Sequence, residues 1–309
     1  MNTAGKIGLF SAALATTFTA AYTLGAATEP LTDRTGNAQH ASHTETSAAP
    51  TTGDLPGGLQ VSQDGYTLDV QTPRLTAGQE APLRFAIKDD NGKAVTDYTR
   101  AHDEELHLIV ASRELNTFRH LHPTRAADGT WSTPVNLLAA GDYRVFADFT
   151  PAKKDATALT LGTDLAVAGA YQPRALPAQQ TTSEVDGYTV SLDGNLAAGK
   201  MSNLTLNVTK YGKPVTDLEP YLGAYGHLVA LRAGDLAYLH VHPEGEPGDG
   251  ATKPGPAVSF MATAPTNGTY RLFLDFKHQG TVRTAAFTVP TSATAGQDNG
   301  THTDHSQGH

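Results

Sequence analysis

The chain has 309 residues, with 31 acidic against 22 basic side chains and a formal charge of −9. That balance gives no long-range attraction to nucleic-acid phosphates or anionic lipid, so neither is expected as a partner. No cysteine is present and only three methionines are, which excludes disulfides, thiolate chemistry and a thioether site for Cu(I). Any metal must be held through nitrogen and oxygen.

Residues 1–27 read as an export signal: Lys6 precedes the apolar run IGLFSAALATTFTAAYTLGAA, which ends in the small residues Gly25, Ala26 and Ala27. Left uncleaved, the same run would tie the protein to a membrane. The expected location is extracytoplasmic, either secreted or in the cell envelope. Residues 28–57 have no apolar periodicity and read as a disordered spacer. Residues 291–309 read as a disordered tail carrying His302, His305 and His309.

Between these ends the chain repeats itself. GYTLDV at 65–70 returns as GYTVSL at 187–192, GKAVTD at 92–97 as GKPVTD at 212–217, and GDYRVFADF at 141–149 as GTYRLFLDF at 268–276. The spacing grows in the Gly/Pro-rich stretch EGEPGDGATKPGP, a loop insertion. Two homologous domains are expected, at 58–170 and 180–290, joined by a linker at 171–179.

Within each repeat, short alternating apolar runs are separated by Gly, Asn, Asp and Pro, and no long helical period occurs. Strands are expected at 66–70, 83–87, 106–110, 118–122 and 143–149. The predicted fold is all-β: two tandem immunoglobulin-like antiparallel β-sandwiches arising from an internal duplication. Trp131 reads as a core residue, and the pairs Tyr143-Arg144 and Tyr270-Arg271 as strand and edge packing.

FRHLHP at 118–123 and YLHVHP at 238–243 place His120 with His122, and His240 with His242, on one face of a strand. A third histidine, His107 or His227, precedes each pair across an expected hairpin. If the second hairpin turns at Gly234-Asp235 in a type II′ turn, His227 faces His242; the same count, centred on Glu114-Leu115, sets His107 opposite His122. A one-residue slip would undo this. Three imidazoles on one patch suit Zn²⁺ or Cu²⁺, with the matched carboxylates Asp148 and Asp275 as additional ligands. His102 and His278 have no counterpart in the other repeat and are set aside. Free imidazoles, with an ordinary pKa near 6.5, would release such a metal below about pH 6.

The export signal, the β-rich repeats and the paired His-x-His hairpins together resemble secreted bacterial copper-handling sandwich proteins of the copper-resistance periplasmic group. That resemblance implies binding of Cu(II) without catalysis, for sequestration, transfer or sensing, with a metal-donor or metal-acceptor protein as partner. No expected cleavage exposes the N-terminal histidine such proteins use; copper is the ion expected ahead of zinc. Two other readings stand. One is an extracellular immunoglobulin-like interaction module whose histidines only pack. The other is a cupin-like metal-dependent enzyme, since Gly234, His240, His242 and Glu246 are similar to the first cupin motif; repeat 1 has Glu114 and Ala126 in place of the glycine and the glutamate. No G-x-S-x-G elbow, phosphate loop or HExxH helix is present, and catalysis is not expected.

Overall fold

The computed structural model describes residues 55–292, apart from His240 and the side chain of His242. The signal, most of the spacer and the end of the tail lie outside the described residues. Among the described residues no helix is long and apolar enough to cross a membrane.

Each repeat forms a two-sheet, immunoglobulin-like sandwich. In repeat 1 one sheet runs β1 (Ser62–Gln63), β2 (Tyr66–Val70), β4 (Glu80–Lys88), β9 (Thr130–Asn136), β8 (Thr124–Arg125). The other runs β3 (Arg74–Thr76), β11 (Leu159–Ala168), β10 (Gly141–Pro151), β6 (Leu106–Ser112), β7 (Phe118–Leu121), with β5 (Tyr98–Thr99) on β10. Repeat 2 repeats the plan. Its first sheet is β12 (Thr182–Val185), β13 (Tyr188–Asp193), β15 (Met201–Lys210), β20 (Ala257–Thr263), β19 (Val241–Pro243), with β16 (Lys213–Pro214) on β15. Its second is β14 (Leu196–Ala197), β22 (Thr281–Ser292), β21 (Thr269–His278), β17 (His227–Arg232), β18 (Tyr238–Leu239).

Side-chain parity explains what these sheets do. In β6, Leu106, Leu108 and Val110 point into the core of repeat 1 with Trp131, while Ile109 and Ala111 point out. In β17, Leu228 and Ala230 enter the core of repeat 2, while Val229 and Leu231 point out. The outward residues meet: Ile109, Phe118, Phe146, Val229, Leu231 and Phe273 belong to one apolar cluster shared by both repeats. The second sheets of the two sandwiches therefore pack face to face. Phe118 stacks on Phe273 with centroids 4.0 Å apart, and Phe146 meets Tyr238 at 5.9 Å. Those four residues occupy matched positions in the two repeats, so the seam has the self-complementary character of a two-fold contact.

This seam corrects the edge-packing reading of Tyr143-Arg144 and Tyr270-Arg271. Both pairs lie in central strands, β10 and β21, each hydrogen-bonded on both sides. The tyrosines are fully buried and donate to the carbonyls four residues upstream, Ala139 and Thr266, at 2.8 and 2.7 Å. Arg144 faces the seam and clamps the carbonyls of Gly58, Leu59 and Gly162. The end of the spacer is thereby built into the fold, with Gly57 bridged to Tyr238 of repeat 2 and Gly58 donating to Thr160 of repeat 1. A Cβ on Gly162 would meet the Gly58 carbonyl oxygen at 2.0 Å, so only glycine admits that approach.

Candidate metal centre

Both hairpins keep the expected register: Leu108 pairs with Leu121 and Ile109 with His120, while Ala230 pairs with Leu239 and Leu231 with Tyr238. The turn type differs from the one expected. Arg232 N–H donates to Ala237 and Ser112 N–H to Thr117, which leaves a four-residue loop in each case in place of a two-residue type II′ turn. Leu115 at φ 56° and Leu236 at φ 64° occupy the left-handed region and are buried in the seam. Burial of a leucine at the hairpin tip outweighs the lower strain of a two-residue turn.

His107 continues the outward parity of Ile109, and His120 that of Phe118, so both reach the seam. Their rings, with His122, form a compact trio. Centroids are 5.4 Å apart for His107–His120, 5.4 Å for His107–His122 and 4.9 Å for His120–His122. One ligand nitrogen from each lies within 4.8 Å of the other two.

Hydrogen bonding fixes the tautomers. His107 donates from Nε2 to the Ala101 carbonyl at 3.1 Å, and His120 donates from Nδ1 to Asp275 Oδ2 at 2.8 Å. In neutral rings the remaining nitrogens, His107 Nδ1 and His120 Nε2, therefore carry lone pairs, yet they face each other at 3.2 Å. Two facing lone pairs repel across that gap, and either a metal ion held by both nitrogens or a proton on one of them relieves the repulsion. Two nitrogens bound to one tetrahedral zinc at about 2.05 Å would stand about 3.3 Å apart. His122 Nε2 is buried without a hydrogen-bond partner among the protein groups. The donor set fits a divalent ion: three imidazoles, two with the opposite nitrogen anchored, as ligating histidines usually are.

The second repeat contributes across the seam. Asp275 is buried, accepts from Thr284 at 2.5 Å and orients His120; it stands behind the trio as the hydrogen-bond partner of that histidine. His227 lies 6.2 Å from His107 and 6.1 Å from His120, centroid to centroid, and donates from Nε2 to Tyr221 and Leu222 carbonyls. Asp148 pairs with His107 along the backbone and accepts from Thr160 at 3.2 Å. The expected opposition of His227 to His242 is replaced by another pairing. The β17–β18 ladder stops at Leu239, and β19 crosses to the other sheet, where the His242 backbone pairs with Met261. His240 lies outside the described residues.

His102, set aside in the sequence for want of a counterpart, joins the cluster, with its ring 6.2 Å from His107 and 5.1 Å from His227. Its only sequence signal is its place in the turn leading into β6. His102, Glu104, His107, His120, Asp148 and His227 help line a cavity of about 220 Å³ that opens to solvent.

Burial, with His120 alongside, lowers His107 to about 3, His122 to about 4 and His227 to about 4. At His107 and His122, then, acid competes only well below the pH 6 expected of free imidazole. In the unfolded chain each of these rings takes a proton near pH 6.5, but in the fold only near 3 or 4. Between those values the unfolded state holds more protons, so stability falls on acidification. The slope approaches about 1.4 kcal/mol per pH unit for each of His107 and His227. Urea midpoints of metal-free protein should drop from pH 7 to pH 5; equal midpoints would contradict the buried neutral rings.

No curated protein matches the chain. Among solved structures, the Escherichia coli adhesin FdeC is 17% identical, with 75% of this chain and 65% of that chain covered and a TM-score of 0.24. Invasin, a bacterial integrin-binding protein, is 14% identical over 74% of this chain and 39% of its own, with a TM-score of 0.22. The D0–D1 domain of intimin is 12% identical over 73% and 97%, with a TM-score of 0.21. The family described as Domain of unknown function (DUF8832) matches twice, over residues 60–163 and 183–293, and the chain belongs to it.

Proposed function

We propose that this is an exported transition-metal-binding protein that holds Cu(II) or Zn(II) at His107, His120 and His122, for sequestration, transfer or sensing outside the cytoplasm. The observation that carries the reading is the pair of facing ring nitrogens 3.2 Å apart, each on a ring whose other nitrogen is already committed as a donor. Export rests on the N-terminal apolar run alone. Sequestration or transfer fits a site lined by a solvent-open cavity. His227 takes no part with His240 and His242 in this proposal, since β19 leaves the sheet of β17 before His242.

The test is metal content after loading and desalting, with His302, His305 and His309 replaced by glutamine so that the tail cannot contribute. At least one ion per chain is expected, and its loss in His107→Ala. Asp275→Asn leaves the trio in place but removes the carboxylate that orients His120; affinity should fall about 10–100-fold. Unchanged affinity would remove Asp275 from the site.

A second reading has a specific observation behind it. His227 is satisfied by two backbone carbonyls, and a proton on His120 Nε2, beside Asp275, would also bridge to His107. The protein would then be an extracellular immunoglobulin-like interaction module with structural histidines. A chain that retains no copper or zinc after desalting supports that reading over the first.

A further inference from the structure

Two tight turns meet beside His102, which helps line the cavity. In repeat 1 Ala101 bridges to Glu104, with His102 at φ 52° and Asp103 at φ 64°; in repeat 2 Tyr221 bridges to Ala224, with Leu222 at φ 54° and Gly223 at φ 72°. They adjoin across the seam: a Cβ on Gly223 would lie 3.9 Å from the His102 Cα. Both turns also anchor the first histidine of their own repeat, through the Ala101 carbonyl to His107 and the Leu222 carbonyl to His227. Leucine fills in repeat 2 the turn position that His102 fills in repeat 1, so the backbone conformation does not require an imidazole there.

What distinguishes His102 is its surroundings. It is exposed, and its ring lies 5.1 Å from that of His227, inside the 4.9–5.4 Å range of the buried trio. Two ligands of one ion with metal–nitrogen bonds of about 2.1 Å have centroids about 5.3 Å apart at tetrahedral angles, so this pair too has the spacing of a shared ion. The pair is contiguous with the trio: His227 lies 6.1 Å from His120 and His102 lies 6.2 Å from His107. Each repeat supplies one of its two rings.

Resting on the metal reading above, we propose that His102 and His227 form an outer two-imidazole station through which a divalent ion enters and leaves the buried trio. A group that touches the ion only in transit lowers the barrier in both directions and leaves the equilibrium almost unchanged. His102 is then an exchange residue, distinct from the ligands that hold the ion.

The test is zinc transfer, in stopped flow, between the full-length protein and a chromophoric chelator, for wild type, His102→Leu and His102→Asn. Leucine is the residue repeat 2 carries at this turn position, and asparagine tolerates the left-handed backbone. Uptake and release are both expected to slow by about tenfold in both variants, with equilibrium affinity within about threefold of wild type. Transfer rates within about twofold of wild type would overturn the proposal, as would an affinity loss as large as that of His120→Ala, which would make His102 a resident ligand. Wild type that takes up no zinc would instead remove the metal reading itself.

Discussion

Phe273→Ala is expected to destabilise the paired sandwiches by about 3–5 kcal/mol. The Phe273 side chain is 4% exposed, stacks on Phe118 with rings 6° from parallel, and belongs to the seam cluster rather than to the core of its own repeat. Truncation removes a large apolar contact between two sheets that have no room to collapse, because Val229, Leu231 and Leu236 surround it from one side and Ile109 and Phe118 from the other. Equilibrium urea unfolding measures the loss, and Phe273→Leu, which keeps most of the buried area, should recover more than half of it. A loss below about 1 kcal/mol would mean that the two second sheets are not packed against each other in solution.

The other large effect is expected at His120. His120→Ala removes at once a member of the trio and its hydrogen bond to the Asp275 carboxylate of the other repeat. Affinity for Cu(II) or Zn(II) should fall by at least about a hundredfold, beyond the effect of losing a hydrogen-bond partner alone. His278→Ala is the control. That histidine is buried but lies elsewhere, bonded to Tyr188 at 2.6 Å and Asp217 at 3.1 Å, and its loss should cost stability without changing affinity. Chelator competition separates the two variants; equal affinities would place the ion elsewhere or nowhere.

Much of the fold could be read from the chain because the duplication prints each strand twice. A turn centred on Gly234-Asp235 gave the hairpin register, the equal spacing from His107 to His120 and from His227 to His240 carried it to the first repeat, and the ladders of β6 with β7 and β17 with β18 have it. The seam was harder to see. Reading each repeat alone leaves Ile109, Phe146 and Phe273 as ordinary strand residues. The available signal was LHLIVAS, a nearly unbroken apolar run, buried at every position in β6, which is what a strand covered on both faces requires. Without the seam, Asp275 could only be paired with the histidines of its own repeat, and His102 looked unmatched. Their partners, His120 and His227, lie in the other sandwich. Turn geometry was the other blind spot, since the pull on Leu115 and Leu236 comes from the opposite sheet and leaves no local mark on the sequence.

X-ray absorption at the metal edge of Cu(II)- or Zn(II)-loaded protein, with the three tail histidines replaced, bears most directly on the central claim. The trio predicts three imidazole nitrogens in the first shell at about 2.0–2.1 Å, with the outer-ring scattering typical of histidine, and the loss of one nitrogen in His122→Ala. A first shell of oxygen alone, or a spectrum unchanged by His122→Ala, would contradict it.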